Sequence, residues 1–149
     1  MKIIFVCTGN TCRSPMAEGF FRKVSEENNV TDIDISSKGI YATEGDKVSE
    51  YSVISAGEYG VDISSHKASQ LTKEDIISSD YIFTMTKSHK DAIISAFPDM
   101  SHKVFSVSEY ADSPEISDPY AQSLDVYRKC AKDINETMQK IFTKIFGKK

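Results

Sequence analysis

The stretch VCTGNTCRSPMAEGFF, residues 6–21, determines how the fold begins and what chemistry it carries. It starts at the end of an apolar run, residues 3–6, which is typical of a strand covered on both faces. Pro15 suits the first turn of a helix, and apolar residues follow it at helical spacing. The stretch therefore predicts a strand, a tight turn and a helix in direct succession.

The turn carries the pattern C-x5-R, from Cys7 to Arg13, followed by Ser14. A turn of this length can curl so that several backbone N–H groups point at one centre and bind an anion. Gly9 and Asn10 are residue types that tolerate the positive φ angles that such curling needs. The helix N-terminus adds its positive dipole end, and the Arg13 guanidinium matches two phosphate oxygens. The pattern predicts a phosphate-binding loop directly after the first strand.

A thiol in that field favours its thiolate form, because N–H groups and a cation stabilise the negative charge. Cys7 is therefore a candidate nucleophile toward phosphorus, and the Ser14 hydroxyl can donate to its sulfur. Because sulfur attacks directly, the chemistry requires no metal ion and no other cofactor. The alternative is a buried thiol with Arg13 as a surface cation, which leaves the placement of Gly9, Asn10 and Ser14 unexplained.

A thiol nucleophile needs an acid that protonates the leaving group. In the segment EISDPYAQS, residues 115–123, Asp118 precedes Pro119. A residue before proline favours extended backbone, so this loop can reach over the strand ends. Asp118 is a candidate general acid, although an Asp-Pro pair taken alone is also typical of an ordinary turn.

The rest of the chain alternates strands with helices. Strands are predicted at residues 3–6, 33–36, 81–83 and 104–107. Helices are predicted after Pro15, over residues 47–59, from caps at Thr72 and Thr86, and along residues 124–145, with a loop at residues 111–121. This order predicts a single α/β domain of three layers over residues 1–149, a central four-stranded parallel sheet flanked by helices on both faces.

Composition narrows the possible partners. The chain has 149 residues, of which 40% are hydrophobic and 27% charged, an ordinary globular balance. Its net charge of −4 argues against nucleic acid or an anionic membrane as partner, and we expect a cytoplasmic protein. Three cysteines cannot all pair, which favours free thiols. A zinc site is a weak alternative, because the C-x4-C pair lacks a second close pair of ligands.

The segments VCTGNTCRSPMAE and DPY resemble the low molecular weight protein tyrosine phosphatase family, as do SSKG and SSHKASQL between them. The resemblance covers essentially the whole chain. It implies that Cys7 forms a cysteinyl-phosphate while Asp118 protonates the leaving group. Asp118 then activates water, and Arg13 with the loop amides binds the transition state. It also implies phosphorylated proteins as partners, and we expect a monomer.

The resemblance further implies a supporting network. Asn10 holds the shape of the loop through polar contacts with Ser14, Ser37 and His66, although His66 taken alone reads as a surface histidine. Cys12 is expected to form a reversible disulfide with Cys7 that protects the nucleophile from over-oxidation. The expected substrate-binding residues are Thr8, Gly9, Asn10, Thr11, Cys12 and Tyr120.

Thr11 is expected to influence which phosphorylated side chain is the substrate. Most phosphotyrosine-directed members of the family carry an aliphatic residue at this position, whereas CTGNTCRS, TMTKSHK and KVFSVSEY resemble the protein-arginine phosphatase branch. A guanidinium presents several N–H donors, for which the Thr11 hydroxyl and the Asp118 carboxylate are acceptors. Phosphoarginine is therefore the expected substrate. Phosphotyrosine stays the alternative, since Tyr120 after Asp-Pro is typical of tyrosine-directed members.

Two other classes of protein are weaker interpretations of the sequence. An arsenate reductase on the same scaffold needs further cysteines to pass a disulfide outward, and residues 13–129 contain none. A non-catalytic phosphate-binding module should have lost its nucleophile or acid, but Cys7, Arg13 and Asp118 are all present. A dinucleotide-binding domain is excluded, because no GxGxxG follows the first strand.

Overall fold

The computed structural model describes residues 1–147, and these form a single α/β domain. Four parallel strands make one sheet in the order β2-β1-β3-β4. The strands are β1 (Lys2–Cys7), β2 (Asp34–Gly39), β3 (Tyr81–Thr84) and β4 (Val104–Ser106). The helices are α1 (Arg13–Glu27), α2 (Glu50–Gly57), α3 (Lys73–Ser78), α4 (Lys87–Ala96), α5 (Val107–Ala111) and α6 (Leu124–Phe146), with a 3₁₀ helix at Pro98–Lys103.

Strand β1 shows why the molecule has three layers. Ile3 and Phe5 point to one face of the sheet, where they pack in a core with α1 and α6. Ile4 and Val6 point to the other face and pack in a second core with Ile76 and other residues of α3 and α4. All four of these β1 side chains are fully buried, and burying a side chain of this size contributes about 1.5–3 kcal/mol. The predicted fold, with helices on both faces of a central parallel sheet, is confirmed.

Local sequence signals explain where most helices begin. The Thr72 and Thr86 side chains accept hydrogen bonds from backbone N–H groups of α3 and α4, as predicted. The apolar stripe predicted along residues 124–145 faces the core as α6. Residues 47–59 form a shorter helix than predicted, since α2 covers only Glu50–Gly57.

Two elements differ from the sequence prediction. Residue 107 was expected to close the fourth strand, but Ser106 caps α5 by a capping box with Glu109, so the chain turns into a helix one residue earlier. Strand β2 was expected at residues 33–36 and runs instead over Asp34–Gly39, because its polar second half pairs in register with β1. This extension sets Gly39 beside Cys7.

Within residues 1–147, no helix is both long enough and apolar enough to cross a membrane.

Candidate active site

The loop between β1 and α1 lies at the carboxyl end of the sheet, where ligands of parallel α/β sheets bind. Neighbouring segments fix its shape: the Cys7 and Thr8 carbonyls accept hydrogen bonds from the residues after β2, and the Thr11 carbonyl accepts from Ser49 N. Asn10 adopts the expected positive φ, at 59°, whereas Gly9 does not. Gly9 therefore does not use the positive φ that its residue type tolerates.

A buried chain of hydrogen bonds leads from the thiol into the protein. Cys7 Sγ lies 2.9 Å from Ser14 Oγ, and Asn10 Nδ2 donates to Ser14 Oγ at 2.8 Å and to Ser37 Oγ at 3.0 Å. Ser37 Oγ in turn donates to Glu18 Oε1 at 2.8 Å. Asn10 occupies one acceptor position of Ser14 Oγ, and the Ser14 hydroxyl hydrogen can point at the sulfur at 2.9 Å or at the Lys38 carbonyl at 3.5 Å, of which the sulfur is the nearer.

The orientation of the Asn10 amide is fixed from its other side. Asn10 Oδ1 accepts a hydrogen bond from the backbone N–H of Ser69 at 2.9 Å and lies 3.1 Å from His66 Nε2. His66 Nδ1 lies 4.0 Å from Glu18 Oε1. The four residues expected in this network, Asn10, Ser14, Ser37 and His66, thus come together. Glu18 and Ser69 complete the network and were not found from the sequence, since they carry no motif of their own.

Arg13 and Asp118 meet across the pocket. The Arg13 side chain is almost fully buried, and its Nη1 donates to the Ile116 carbonyl at 3.1 Å. Its Nη2 lies 3.7 Å from Asp118 Oδ2. The Asp118 side chain is 54% exposed, and its Oδ1 accepts from Tyr120 N at 3.1 Å. The loop that carries the candidate acid is thus anchored to the guanidinium in the phosphate-binding loop.

These groups surround one pocket of about 230 Å³. Its walls are Cys7, Thr8, Gly9, Thr11, Cys12, Arg13, Asp118 and Tyr120. Tyr120 is 71% exposed at the rim. Typical pockets for drug-sized ligands and cofactors measure about 300–1,000 Å³, so this one fits the end of a single side chain better.

A wider cleft of about 410 Å³ lies between α1 and residues 60–66. It is lined by Glu18 and His66 but by neither Cys7 nor Arg13. We assign the candidate active site to the smaller pocket, because a thiol, a guanidinium and a carboxyl group converge there and do not in the wider cleft.

His89 borders this site and was not found from the sequence. It is the third residue of α4, is 8% exposed, and places Nε2 at 2.9 Å from Thr8 Oγ1. Burial, reinforced by the positive charge of Arg13, lowers the pKa of His89 to about 4. The imidazole is therefore neutral at physiological pH.

The other two cysteines lie in different surroundings. Cys12 Sγ lies 3.5 Å from Tyr127 Oη, and burial raises the pKa of that tyrosine to about 12. Cys130 is buried in α6 and donates its S–H to the Ser117 carbonyl at 3.7 Å. Burial raises the pKa of the Cys130 thiol to about 12, so this cysteine stays protonated and is not a nucleophile.

A parallel α/β sheet whose first strand ends in a cysteine, an anion-binding loop and an arginine at a helix start defines the class of cysteine-dependent phosphatases. The chain belongs to the low molecular weight phosphotyrosine protein phosphatase family, whose sequence pattern matches residues 2–149. It is accordingly a hydrolase of that family, as the sequence predicted.

Its relatives include enzymes named for two different substrates. A protein-arginine-phosphatase of Bacillus subtilis is 35% identical over 143 residues, which cover 95% of this chain and 94% of that protein. The low molecular weight protein-tyrosine-phosphatase PtpB of Staphylococcus epidermidis is 39% identical over 142 residues, covering 95% and 96%.

A solved structure of a related enzyme has the same fold as this protein. The YwlE arginine phosphatase, in a cysteine-to-serine variant with a phosphorylated active-site serine, matches with a TM-score of 0.92 at 33% identity. The match covers 97% of this chain and 95% of that chain. A phosphorylated residue at that enzyme's active site fits a mechanism in which the side chain itself receives the phosphoryl group.

Proposed function

We propose that this phosphatase removes phosphoryl groups from arginine side chains of proteins through a cysteinyl-phosphate intermediate. The observation that carries the proposal is that two side chains with acceptor oxygens, the Thr11 hydroxyl and the Asp118 carboxyl group, line the pocket that holds Cys7. Within residues 1–147, the hydrogen-bond partner of Thr11 Oγ1 is the Cys12 sulfur at 3.8 Å, a weak contact that leaves the oxygen available.

In the first step, Cys7 Sγ attacks phosphorus and forms an S–P bond while the P–N bond to the guanidinium breaks. Asp118 gives its proton to the leaving nitrogen, so a neutral product group departs. In the second step, Asp118 takes a proton from water, the water oxygen bonds to phosphorus, and the S–P bond breaks. The products are inorganic phosphate and the restored thiolate.

Ser14 and Arg13 support both steps. The Ser14 hydroxyl lies nearer to the Cys7 sulfur than to the Lys38 carbonyl, and by donating to the sulfur it stabilises the thiolate before attack and again when the sulfur departs. Arg13 and the loop N–H groups at the start of α1 bind the phosphoryl oxygens, on which charge develops in the transition state.

The substrate assignment follows from unpaired hydrogen bonds. A guanidinium brings several N–H donors into the pocket, and each donor left without an acceptor costs about 1–3 kcal/mol. Thr11 and Asp118 supply acceptors, whereas an aliphatic residue at position 11 would supply none from that side.

Phosphotyrosine is the second candidate substrate. Tyr120 stands exposed at the rim, where its ring can pack against an aromatic substrate. The relationship to a named protein-tyrosine-phosphatase favours the same candidate. Phosphoarginine needs a hydrogen-bond acceptor at position 11, whereas phosphotyrosine does not. A substitution at position 11 therefore distinguishes the two candidate substrates.

The test replaces Thr11 by Val, which removes the hydroxyl at nearly constant shape, and by Ile, which adds an apolar wall. We expect kcat/KM for phosphoarginine protein to fall about tenfold or more in both variants, because guanidinium N–H groups lose an acceptor. We expect Thr11→Ile to raise kcat/KM for a phosphotyrosine peptide enough to reverse the preference. Released phosphate measures both rates.

Two controls make the result decisive. Thr11→Ser keeps the hydroxyl and should keep the preference for phosphoarginine. Cys7→Ser should lose turnover of both substrates while still binding an oxyanion. Equal rates on the two substrates in the wild type, or a ratio that Thr11→Ile does not change, would overturn the assignment to phosphoarginine.

The proposal includes the cytoplasm as the working location and phosphorylated proteins as partners. A cysteine nucleophile must stay reduced to act, and the cytoplasm keeps thiols reduced. A reversible disulfide between Cys7 and Cys12 belongs to the same proposal as protection for the nucleophile.

A further inference from the structure

His89 connects the phosphate-binding loop to a distant part of the chain. Its ring bridges two threonines, with Nε2 at 2.9 Å from Thr8 Oγ1 and Nδ1 at 3.1 Å from Thr86 Oγ1. Thr8 directly follows Cys7 and lines the active-site pocket. Thr86 is the N-cap of α4. A buried polar ring with both nitrogens engaged in this way holds one orientation.

The N-cap of α4 offers the His89 ring a hydrogen-bond donor. Thr86 Oγ1 accepts from the backbone N–H of His89 at 3.4 Å, which leaves its own hydroxyl hydrogen available to His89 Nδ1 at 3.1 Å. In that arrangement the single hydrogen of the neutral imidazole lies on Nε2 and is donated to Thr8 Oγ1. The opposite tautomer would reverse both hydrogen bonds, so that Nδ1 donates to Thr86 and Thr8 donates to Nε2.

The donor and acceptor roles in these hydrogen bonds bear on the role of Thr8. With hydrogen on His89 Nε2, Thr8 Oγ1 accepts from the ring and keeps its own hydroxyl hydrogen free. Thr8 is exposed to the pocket beside Cys7 and Arg13, where a phosphoryl group would lie. A hydroxyl held by a neighbour is a preorganised donor, which is more effective than one that rotates freely.

We propose that Thr8 donates a hydrogen bond to a phosphoryl oxygen and that His89 is the positioning residue that aims this hydrogen. The inference rests on the proposed cysteine mechanism but not on the choice between phosphoarginine and phosphotyrosine, because the donor acts on the phosphoryl group that both substrates share. The sequence signal is Thr8 directly after the nucleophile and Thr-x-x-His after β3.

The kinetic test uses Thr8→Val, His89→Leu and the double variant, with p-nitrophenyl phosphate as substrate so that the leaving-group question does not enter. We expect each single variant to lower kcat about tenfold with KM changed less than about twofold, because charge on the phosphoryl oxygens grows in the transition state. We expect the double variant to be no slower than Thr8→Val, because His89 acts through Thr8.

His89→Gln supplies the rescue, since its amide can place an N–H near the position of Nε2. We expect it to keep about a third or more of the wild-type kcat. His102→Leu makes the same substitution as His89→Leu at an exposed histidine of the 3₁₀ helix and serves as the control for unchanged activity. Independent, multiplying losses in the double variant, or full activity of His89→Leu, would overturn the proposal.

A second measurement holds even where His89→Leu does not fold. NMR of the imidazole nitrogens in the wild type should show hydrogen on Nε2, and Thr8→Val should shift that nitrogen. Hydrogen on Nδ1 would refute the inference. Turnover of p-nitrophenyl phosphate by Cys7→Ser would instead refute the underlying mechanism, so the two failures are distinguishable.

Discussion

At the scale of single residues, Asn10 joins backbone geometry to chemistry. Its φ of 59° turns the loop, and its side chain donates to Ser14 and Ser37 while accepting from Ser69 N. Asparagine tolerates this left-handed conformation better than other residues that have a side chain beyond Cβ. One residue therefore contributes both to the curl of the loop and to the polar contacts of Ser14 beside Cys7.

Replacing Asn10 separates these two contributions. We expect Asn10→Ala and Asn10→Gly to lower kcat about tenfold or more, because both lose the amide that orients Ser14. Asn10→Gly should be the more stable of the two by about 1 kcal/mol, because glycine adopts positive φ without strain. Phosphate release and chemical denaturation measure the two effects. Wild-type kcat in Asn10→Gly would refute the role of the amide.

The residues of the site differ in how far the sequence could reveal them. Cys7, Arg13 and Asn10 share one short motif, so their proximity follows from chain continuity alone. His89 is 81 residues from its partner Thr8, and only the pairing of β1 with β3 brings the two together. Contacts of that kind depend on tertiary structure, which no local spacing encodes.

At the scale of elements, signals in adjacent residues were the reliable ones. The caps at Thr72 and Thr86 were predicted because a cap is a contact between near neighbours. The capping box from Ser106 to Glu109 is an equally local signal, but residues 104–107 are mostly apolar and therefore favoured a strand in the prediction. The end of β2 could not be predicted, since its polar residues are held by pairing with β1.

The end of β2 matters because Gly39 supports the phosphate-binding loop. A Cβ at this position would lie 2.6 Å from the Thr8 carbonyl oxygen and 3.0 Å from Asn10 N. Both are backbone atoms of the loop, so they can yield only if the loop itself moves. The close approach of two backbones therefore requires glycine here.

We expect Gly39→Ala to displace the loop, lowering kcat about tenfold or more and the free energy of unfolding by about 1–3 kcal/mol. Gly57→Ala is the matched control, because a Cβ there meets no atom within 4 Å and alanine favours the helix. It should keep full activity and equal or higher stability. Activity and thermal unfolding of both variants check this, and an active, fully stable Gly39→Ala would contradict it.

At the scale of the whole molecule, the active site requires the fold to bury charged side chains. Arg13 is held with little exposure beside the pocket, and its positive charge acts on the neutral ring of His89. Asp118 and Glu115 act on the same ring in the opposite sense and raise its pKa, but burial and Arg13 prevail. A neutral His89 avoids a second cation in the site. Because the folded protein resists protonation of this ring, the free energy of unfolding depends on pH.

The sign of that dependence follows from where protons bind. In the unfolded chain His89 takes up a proton below its ordinary pKa of 6.5, whereas in the folded protein it does so only near pH 4. Between these values the unfolded state binds more protons, so stability falls as pH falls. Above pH 6.5 both states are neutral at this residue, and the contribution is constant. Carboxylates titrate in the same range, so a variant must isolate the histidine.

We expect the wild type to lose about 2–3 kcal/mol more stability than His89→Gln between pH 7 and pH 4, because glutamine does not titrate. Denaturant unfolding at a series of pH values measures the difference, from which the titrations common to both proteins cancel. His102→Gln removes an exposed histidine and should follow the wild type. Parallel curves for the wild type and His89→Gln would show that His89 takes up its proton equally in the folded and unfolded states, contrary to its burial beside Arg13.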